Sequence, residues 1–155
     1  MKTLDVTDIK ILNLLQQDGR LQVKQISERV YKSETPVGLR IRRLQDEGVI
    51  RGYVAVLDRR KVGLPTMVIT QVRLKRQCQG ALSAFGAAMQ ALKEVQVCLQ
   101  VSGEYDFLLQ LTLQDAFAYE EFLSQKLAIL PSVDKIQSFF VLKDFKLHTA
   151  LPLSF

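Results

Sequence analysis

With 155 residues, 48% of them hydrophobic, the chain is long enough for one mid-sized domain or two small ones with real cores. No apolar run reaches the roughly 18 residues of a membrane span, and Met1-Lys2-Thr3-Leu4-Asp5 turns acidic at once rather than opening a secretory segment, so a cytoplasmic protein without membrane contact is expected. The net charge of +5 is uneven: residues 1–60 hold 12 Lys and Arg against 8 Asp and Glu, and the remainder 9 against 8, which suggests a nucleic-acid-binding module followed by a near-neutral one.

Asp5 can cap a first helix, and both Asp5 and Asp8 suit the positive end of its dipole. Ile9, Leu12 and Leu15, with Ile11 beside them, supply its apolar stripe up to the Asp18-Gly19 break. Val23, Ile26 and Val30, at steps of three and four, predict a second, shorter helix, and only Tyr31 and Lys32 separate it from Ser33. A third helix starts there. Ser33 can accept a hydrogen bond from a free first-turn N–H, Pro36 falls where its missing donor costs nothing, and Gly48 suits a left-handed C-terminal cap. At 100° per residue Val37, Ile41 and Leu44 fall within about 60° of one another, and Thr35, Gly38, Leu39, Arg42 and Arg43 are expected to point the other way. Small residues and arginines facing outward suit insertion into a major groove; for a lone helix the alternative is a solvated basic face. Two short helices joined by so brief a turn, with a third before them, are the helix-turn-helix pattern. Residues 49–57 are rich in β-branched and aromatic types and are expected to form the short strand of a winged-like variant.

Residues 58–65 are polar and basic and end in Gly and Pro, which predicts a linker, a charged hinge between a domain 1–57 and a domain 66–155. Met67 to Leu74 suits a strand, and Leu82, Phe85, Met89 and Leu92 mark a helix face. Val95, Val97, Leu99 and Val101 alternate with Gln96, Cys98 and Gln100, a strand with one buried face. Phe107, Leu109, Leu111 and Leu113 repeat the alternation, and the short Gly103-containing connection makes the two an antiparallel hairpin. Ala116, Tyr119, Leu123 and Leu127 form another helix, ended by Pro131; Ile136, Ser138, Phe140 and Leu142 mark the last strand. The order βαββαβ predicts an α+β chain whose second module is a ferredoxin-like antiparallel sheet with two helices on one face. The other face also carries apolar residues, and a second subunit is the economical way to bury it. Cys78 and Cys98 lack ligand spacing, so two buried thiols and no metal site are expected.

Leu4-Asp5, Asp8, Ile11-Leu12, Leu15-Gln16, Asp18-Gly19-Arg20, Ser33, Pro36, Arg40-Ile41, Arg43-Leu44, Gly48-Val49-Ile50 and Gly52-Tyr53 resemble the N-terminal signature of the Lrp/AsnC, or feast/famine, transcriptional regulators. The resemblance runs on through Gly63-Leu64 and covers nearly the whole chain. Tyr31 and Lys32 depart from it, standing where the family has a small or glycine residue and then leucine, as does Gly38 inside the third helix. The resemblance implies a RAM-type C-terminal module that forms homodimers, assembling further to octamers or similar, and a sequence-specific regulator of double-stranded DNA tuned by an amino acid, with no other cofactor. The expected DNA-facing set is Ser33, Thr35, Pro36, Leu39, Arg40, Arg42 and Arg43. Gly103-Glu104-Tyr105-Asp106 resembles the family's Gly-x-Tyr-Asp effector loop, with Ser138 and, more weakly, Thr149 as further candidates. Asp106 can accept hydrogen bonds from an α-ammonium; the alternative is a hairpin turn in which it pairs its own loop backbone. The tail 149–153 is expected to pack on a neighbouring subunit. Two other functions compete: a decarboxylase resembling those of the sirohaem branch, and a nucleoid-type protein with little sequence preference. Against the enzyme stands the lack of a nucleophile–base pair or phosphate loop, with a lone histidine, His148, in the tail.

Overall fold

The computed structural model describes residues 3–147 and 150–154, so His148 and Thr149 lie outside the described residues. The chain forms two compact units, Met1–Val56 together with Lys146–Phe155, and Leu57–Phe145. No helix among the described residues is long and apolar enough to cross a membrane.

The first unit holds three helices, α1 (Val6–Gln17), α2 (Val23–Val30) and α3 (Glu34–Asp46). Asp5 and Asp8 open α1 with a reciprocal capping box: Asp8 N–H donates to Asp5 Oδ1 at 2.9 Å and Asp5 N–H to Asp8 Oδ2 at 3.1 Å. Ile11, Leu12, Ile26, Val30, Val37 and Leu44 make one buried core, with Ile41 half-buried beside it. α3 ends at Glu47, and Gly48 follows at φ +70°, where its N–H meets Gln45 O at 2.9 Å. Ser33 occupies the N-cap by backbone geometry, but its hydroxyl makes no capping bond, contrary to expectation.

Residues 49–57 form no strand within the chain. A strand needs a paired neighbour, and no described segment offers one; Val54 and Val56 stay exposed. Tyr53 folds back instead. Its ring lies so close to Gly19 that a Cβ there would come within 3.1 Å of Cδ1, and its hydroxyl accepts from Gln45 Nε2 at 3.3 Å.

The C-terminal tail belongs to this unit too. Leu153 packs against the three-helix core, and Asn13 and Gln16 of α1 bond the backbone of Leu153 and Leu151. The domain expected to run over 66–155 thus yields its last residues to the first unit.

In the second unit, 58–65 forms a hydrogen-bonded turn: Arg60 N–H donates to Asp58 Oδ1 at 3.0 Å and Leu64 N–H to Arg59 O at 2.8 Å. Strands β1 (Thr66–Leu74), β2 (Val95–Gln100), β3 (Phe107–Leu113) and β4 (Val133–Phe140) form one antiparallel sheet in the order β2-β3-β1-β4. Helices α4 (Gln79–Gln90) and α5 (Ala116–Phe122), the latter continued by a π-helical turn Leu123–Leu127, cover one face through Phe85, Met89, Tyr119, Phe122 and Leu127. This is the expected βαββαβ arrangement.

The phase of β2 differs from expectation. Cys98 packs toward the helix-side core, whereas Leu99 is 52% exposed. Leu99 pairs with Leu108 and Cys98 with the buried Leu109; a register shift between Val95 and Val97 keeps Val95 against the helix-side core and turns Val97 and Leu99 to the sheet face away from the helices. Cys78 is exposed just before α4 rather than buried, and neither cysteine forms a disulfide.

Candidate nucleic-acid interface and effector loop

Helical geometry divides the arginines of α3. Arg40 and Arg43, three residues apart, share one flank of the Val37–Leu44 stripe, whereas Arg42, with Thr35 and Leu39, lies beyond the other flank. The burial follows: Thr35, Leu39 and Arg42 are exposed, while Arg40 and Arg43 are half-buried. Arg40 Nη1 donates to Asp8 Oδ1 at 2.8 Å and to Asp5 Oδ2 at 2.5 Å; Arg43 Nη2 donates to Asp8 Oδ2 at 2.6 Å. Arg43 therefore does not point outward as expected. A fully buried carboxylate attracts the nearest guanidiniums strongly because little water screens it. Burial pushes the Asp8 carboxyl up, but the Asp5 N–H and the two guanidiniums outweigh it and hold it below the ordinary range. Asp5 is also lowered, by the Asp8 N–H first and Arg40 second. Sequence reading treated these two acids only as helix caps. The missed signal is that Arg40 and Arg43 stand three residues apart on one flank of α3, spaced so that one carboxylate can accept from both.

Gly38 faces α2, with Val23 Cγ1 3.8 Å from where a Cβ would stand. Tyr31 carries φ +55°, the left-handed conformation that favours glycine, and its ring is almost wholly exposed. The exposed surface here is thus Ser33, Thr35, Pro36, Leu39 and Arg42, with Tyr31 and Lys32 at its edge.

At the other site, Gly103 turns the β2–β3 hairpin at φ +123°, and Val101 N–H closes it on Asp106 O at 2.9 Å. Asp106 is buried. Its N–H donates to Val72 O at 2.9 Å, and its Oδ2 accepts from Leu74 N–H at 2.7 Å, so the carboxylate holds the end of β1 rather than its own loop. An open hollow of about 670 Å³ lies beside it, lined by Gln77, Leu82, Gln100, Ser102 and Gly103 among others. Tyr105 Oη donates to Gln137 Oε1 at 2.5 Å, Lys135 Nζ stands 5.2 Å from the Tyr105 ring centre, and Lys135 bonds Glu104 at 2.8 Å. The Lys135 ammonium holds the Glu104 carboxyl below the ordinary range, and Glu104 with Tyr105 raises Lys135 in turn.

Ser138 is not with this loop. It pairs with Thr70 on the helix-side face, and its hydroxyl bonds Thr70 Oγ1 at 3.3 Å and Tyr119 Oη. Successive strand residues face opposite ways, so the neighbour Gln137 takes the place expected of Ser138.

The sequence pattern described as the Lrp/AsnC ligand binding domain matches residues 67–151, and that described as winged helix-turn-helix DNA-binding matches residues 4–51. The chain belongs to the Lrp/AsnC family. Among curated relatives, this Lrp/AsnC chain is 39% identical over 143 residues to a proline dehydrogenase transcriptional activator of Rhizobium radiobacter, covering 92% of each protein. It is 39% identical over 145 residues to a leucine-responsive regulatory protein of Haemophilus influenzae, covering 94% of this chain and 87% of that one. It is also similar to the crystal structure of a transcriptional regulator in complex with L-Met from Neisseria meningitidis, at a TM-score of 0.91, 39% identity and 97% coverage of both chains.

Proposed function

We propose that this Lrp/AsnC chain is a sequence-specific transcriptional regulator whose grip on double-stranded DNA is set by a small apolar amino acid. The observation that carries the reading is the exposed face of α3, where the side chains of Thr35, Leu39 and Arg42 stand open beside the Ser33 hydroxyl, which makes no capping bond. Arg42 supplies a guanidinium for a guanine edge or a phosphate, Ser33 a phosphate contact, and Thr35, Pro36 and Leu39 a surface small enough for close approach. The effector site is the loop Gly103–Asp106 with its adjoining hollow: the second Asp106 oxygen is available to an α-ammonium, and Leu82 offers apolar contact to a side chain. Relatives described as leucine-responsive, and one crystallised with L-Met, support L-leucine and L-methionine as the first amino acids to test.

The regulator acts in the cytoplasm as a homodimer that assembles further. Support for the dimer comes from the sheet face away from the helices, where Leu99 and Phe139 remain about half exposed. An effector binding between copies shifts assembly by its differential affinity for the alternatives, and with it the spacing of paired α3 helices.

The decisive experiment selects duplexes from a random library with the full chain, with and without each amino acid. A recurring two-fold motif whose recovery changes with L-leucine or L-methionine is expected. Recovery of random duplex alone would leave a nucleoid-type protein.

A further inference from the structure

The Asp8 carboxylate sits at a fixed point of α1, because it is one half of the capping box with Asp5. Each of its oxygens accepts from a different arginine of α3, Oδ1 from Arg40 and Oδ2 from Arg43. Two such bonds, three residues apart on one helix, restrain both the rotation of α3 about its axis and its position along it. The side chain of Asp8 is 1% exposed, against 33% for Arg40 and 28% for Arg43, so the anchor is dry while the cations reach the surface. Arg43 Nε is buried without a hydrogen bond, with Glu47 Oε1 4.0 Å away, and Arg40 is shared with the exposed Asp5. Neither guanidinium is used as a free cation.

We propose that Asp8 is a positioning residue for DNA recognition: through Arg40 and Arg43 it sets the rotation of α3, so that Arg42 meets the groove while two neighbouring arginines are withheld from phosphates. This rests on the DNA-binding reading above. The arrangement serves specificity more than affinity. Two further free guanidiniums on a helix with Arg42 would strengthen contact with any duplex, since phosphate contacts carry no sequence information. Held on Asp8, they give up that uniform attraction and fix which side chains face the bases.

The test compares the full-length chain with Asp8→Asn, which keeps the shape and removes the charge, and with Asp5→Asn. The latter keeps a good N-cap residue and loosens Arg40 alone. Binding is measured over a series of salt concentrations to the duplex that the wild-type chain selects from a random library, and to random duplex of equal length. For Asp8→Asn the salt slope on random duplex is expected to steepen by about one to two, close to 0.9 for each freed guanidinium that finds a phosphate. The preference for selected over random duplex is expected to fall about tenfold or more. Asp5→Asn is expected to change both quantities in the same sense and by less. A loss of stability alone would lower the active fraction without moving either the slope or the ratio. If both variants keep the wild-type slope and ratio, the positioning role is overturned; if Asp8→Asn does not fold, Asp5→Asn alone decides. A wild-type chain that prefers no duplex would overturn the regulator reading itself, whatever the variants do.

Discussion

Leu151 N–H donates to Gln16 Oε1 at 2.6 Å, and Gln16 Nε2 returns a bond to Leu151 O at 3.2 Å, a two-way amide clasp between residues 135 positions apart in the chain. With Leu153 packed against the three-helix core, it makes the tail part of the helical unit. Gln16→Ala is expected to cost about 0.5–1.5 kcal/mol, the usual worth of such bonds. Leu153→Ala, at a half-buried site, should cost about 1–2 kcal/mol, below the range for a fully buried leucine. Limited digestion from the C-terminus and amide exchange in α1 would register both. Unchanged protection of α1 in Leu153→Ala would show that the tail is dispensable there.

Arg42 is the exposed arginine of α3, outside the ion pairs that engage Arg40 and Arg43. Arg42→Ala is expected to lose about 1–3 kcal/mol at one base position if it reads guanine, or to weaken all duplexes and lower the salt slope by roughly one if it meets phosphate. Fold stability should stay within about 0.5 kcal/mol of wild type. Binding isotherms on single-base operator variants separate the two outcomes, and no change in either would remove Arg42 from the interface.

Two backbone positions near the recognition surface can be improved. A Cβ at Gly38 would sit in ordinary contact with Val23, so Gly38→Ala should stabilise by about 0.5–1 kcal/mol through helix propensity. Tyr31→Gly removes the left-handed strain of a residue whose ring packs on little, with a net gain of about 0.5–1 kcal/mol. Denaturant midpoints at constant slope would report both.

Acid sensitivity follows from the carboxylates of α1. Asp5 and Asp8 both titrate below their ordinary range when folded, so the stability they add is fully present above about pH 4 and is lost as the pH falls through the folded values. Stability measured by denaturant between pH 7 and pH 3 should drop at the acid end, with α1 and α3 losing exchange protection early. Asp8→Asn should start less stable and show a shallower acid loss. An equally steep loss in that variant would place the acid-sensitive groups elsewhere.

Asp106 offers a split between structure and ligand. Asp106→Ala leaves the buried Leu74 N–H without its partner and should cost about 1–3 kcal/mol. Asp106→Asn retains an acceptor for that N–H and should cost less than about 1 kcal/mol, yet lacks the charge that an α-ammonium seeks. Calorimetric titration with L-leucine and L-methionine is expected to show loss of binding in both. Binding retained in a folded Asp106→Asn would move the effector elsewhere.

Local chemistry made much of this protein legible in the sequence. Asp5 and Asp8 announced the start of α1, Gly48 the end of α3, and the alternation from Phe107 to Leu113 a strand with one buried face, because caps and periodicities are settled within a few residues of chain. Period is local, but phase is not. Whether Leu99 or Cys98 faces the core, whether Gln137 or Ser138 meets Tyr105, and whether Arg43 turns to solvent or to Asp8 depend on a neighbour far away in the chain. Residues 49–57 have the composition of a strand and no partner among the described residues, and the tail clasps a helix that its own spacing could not name. Those outcomes belong to the tertiary structure, since a hydrogen bond or a buried ion pair exists only once both of its ends have been brought together.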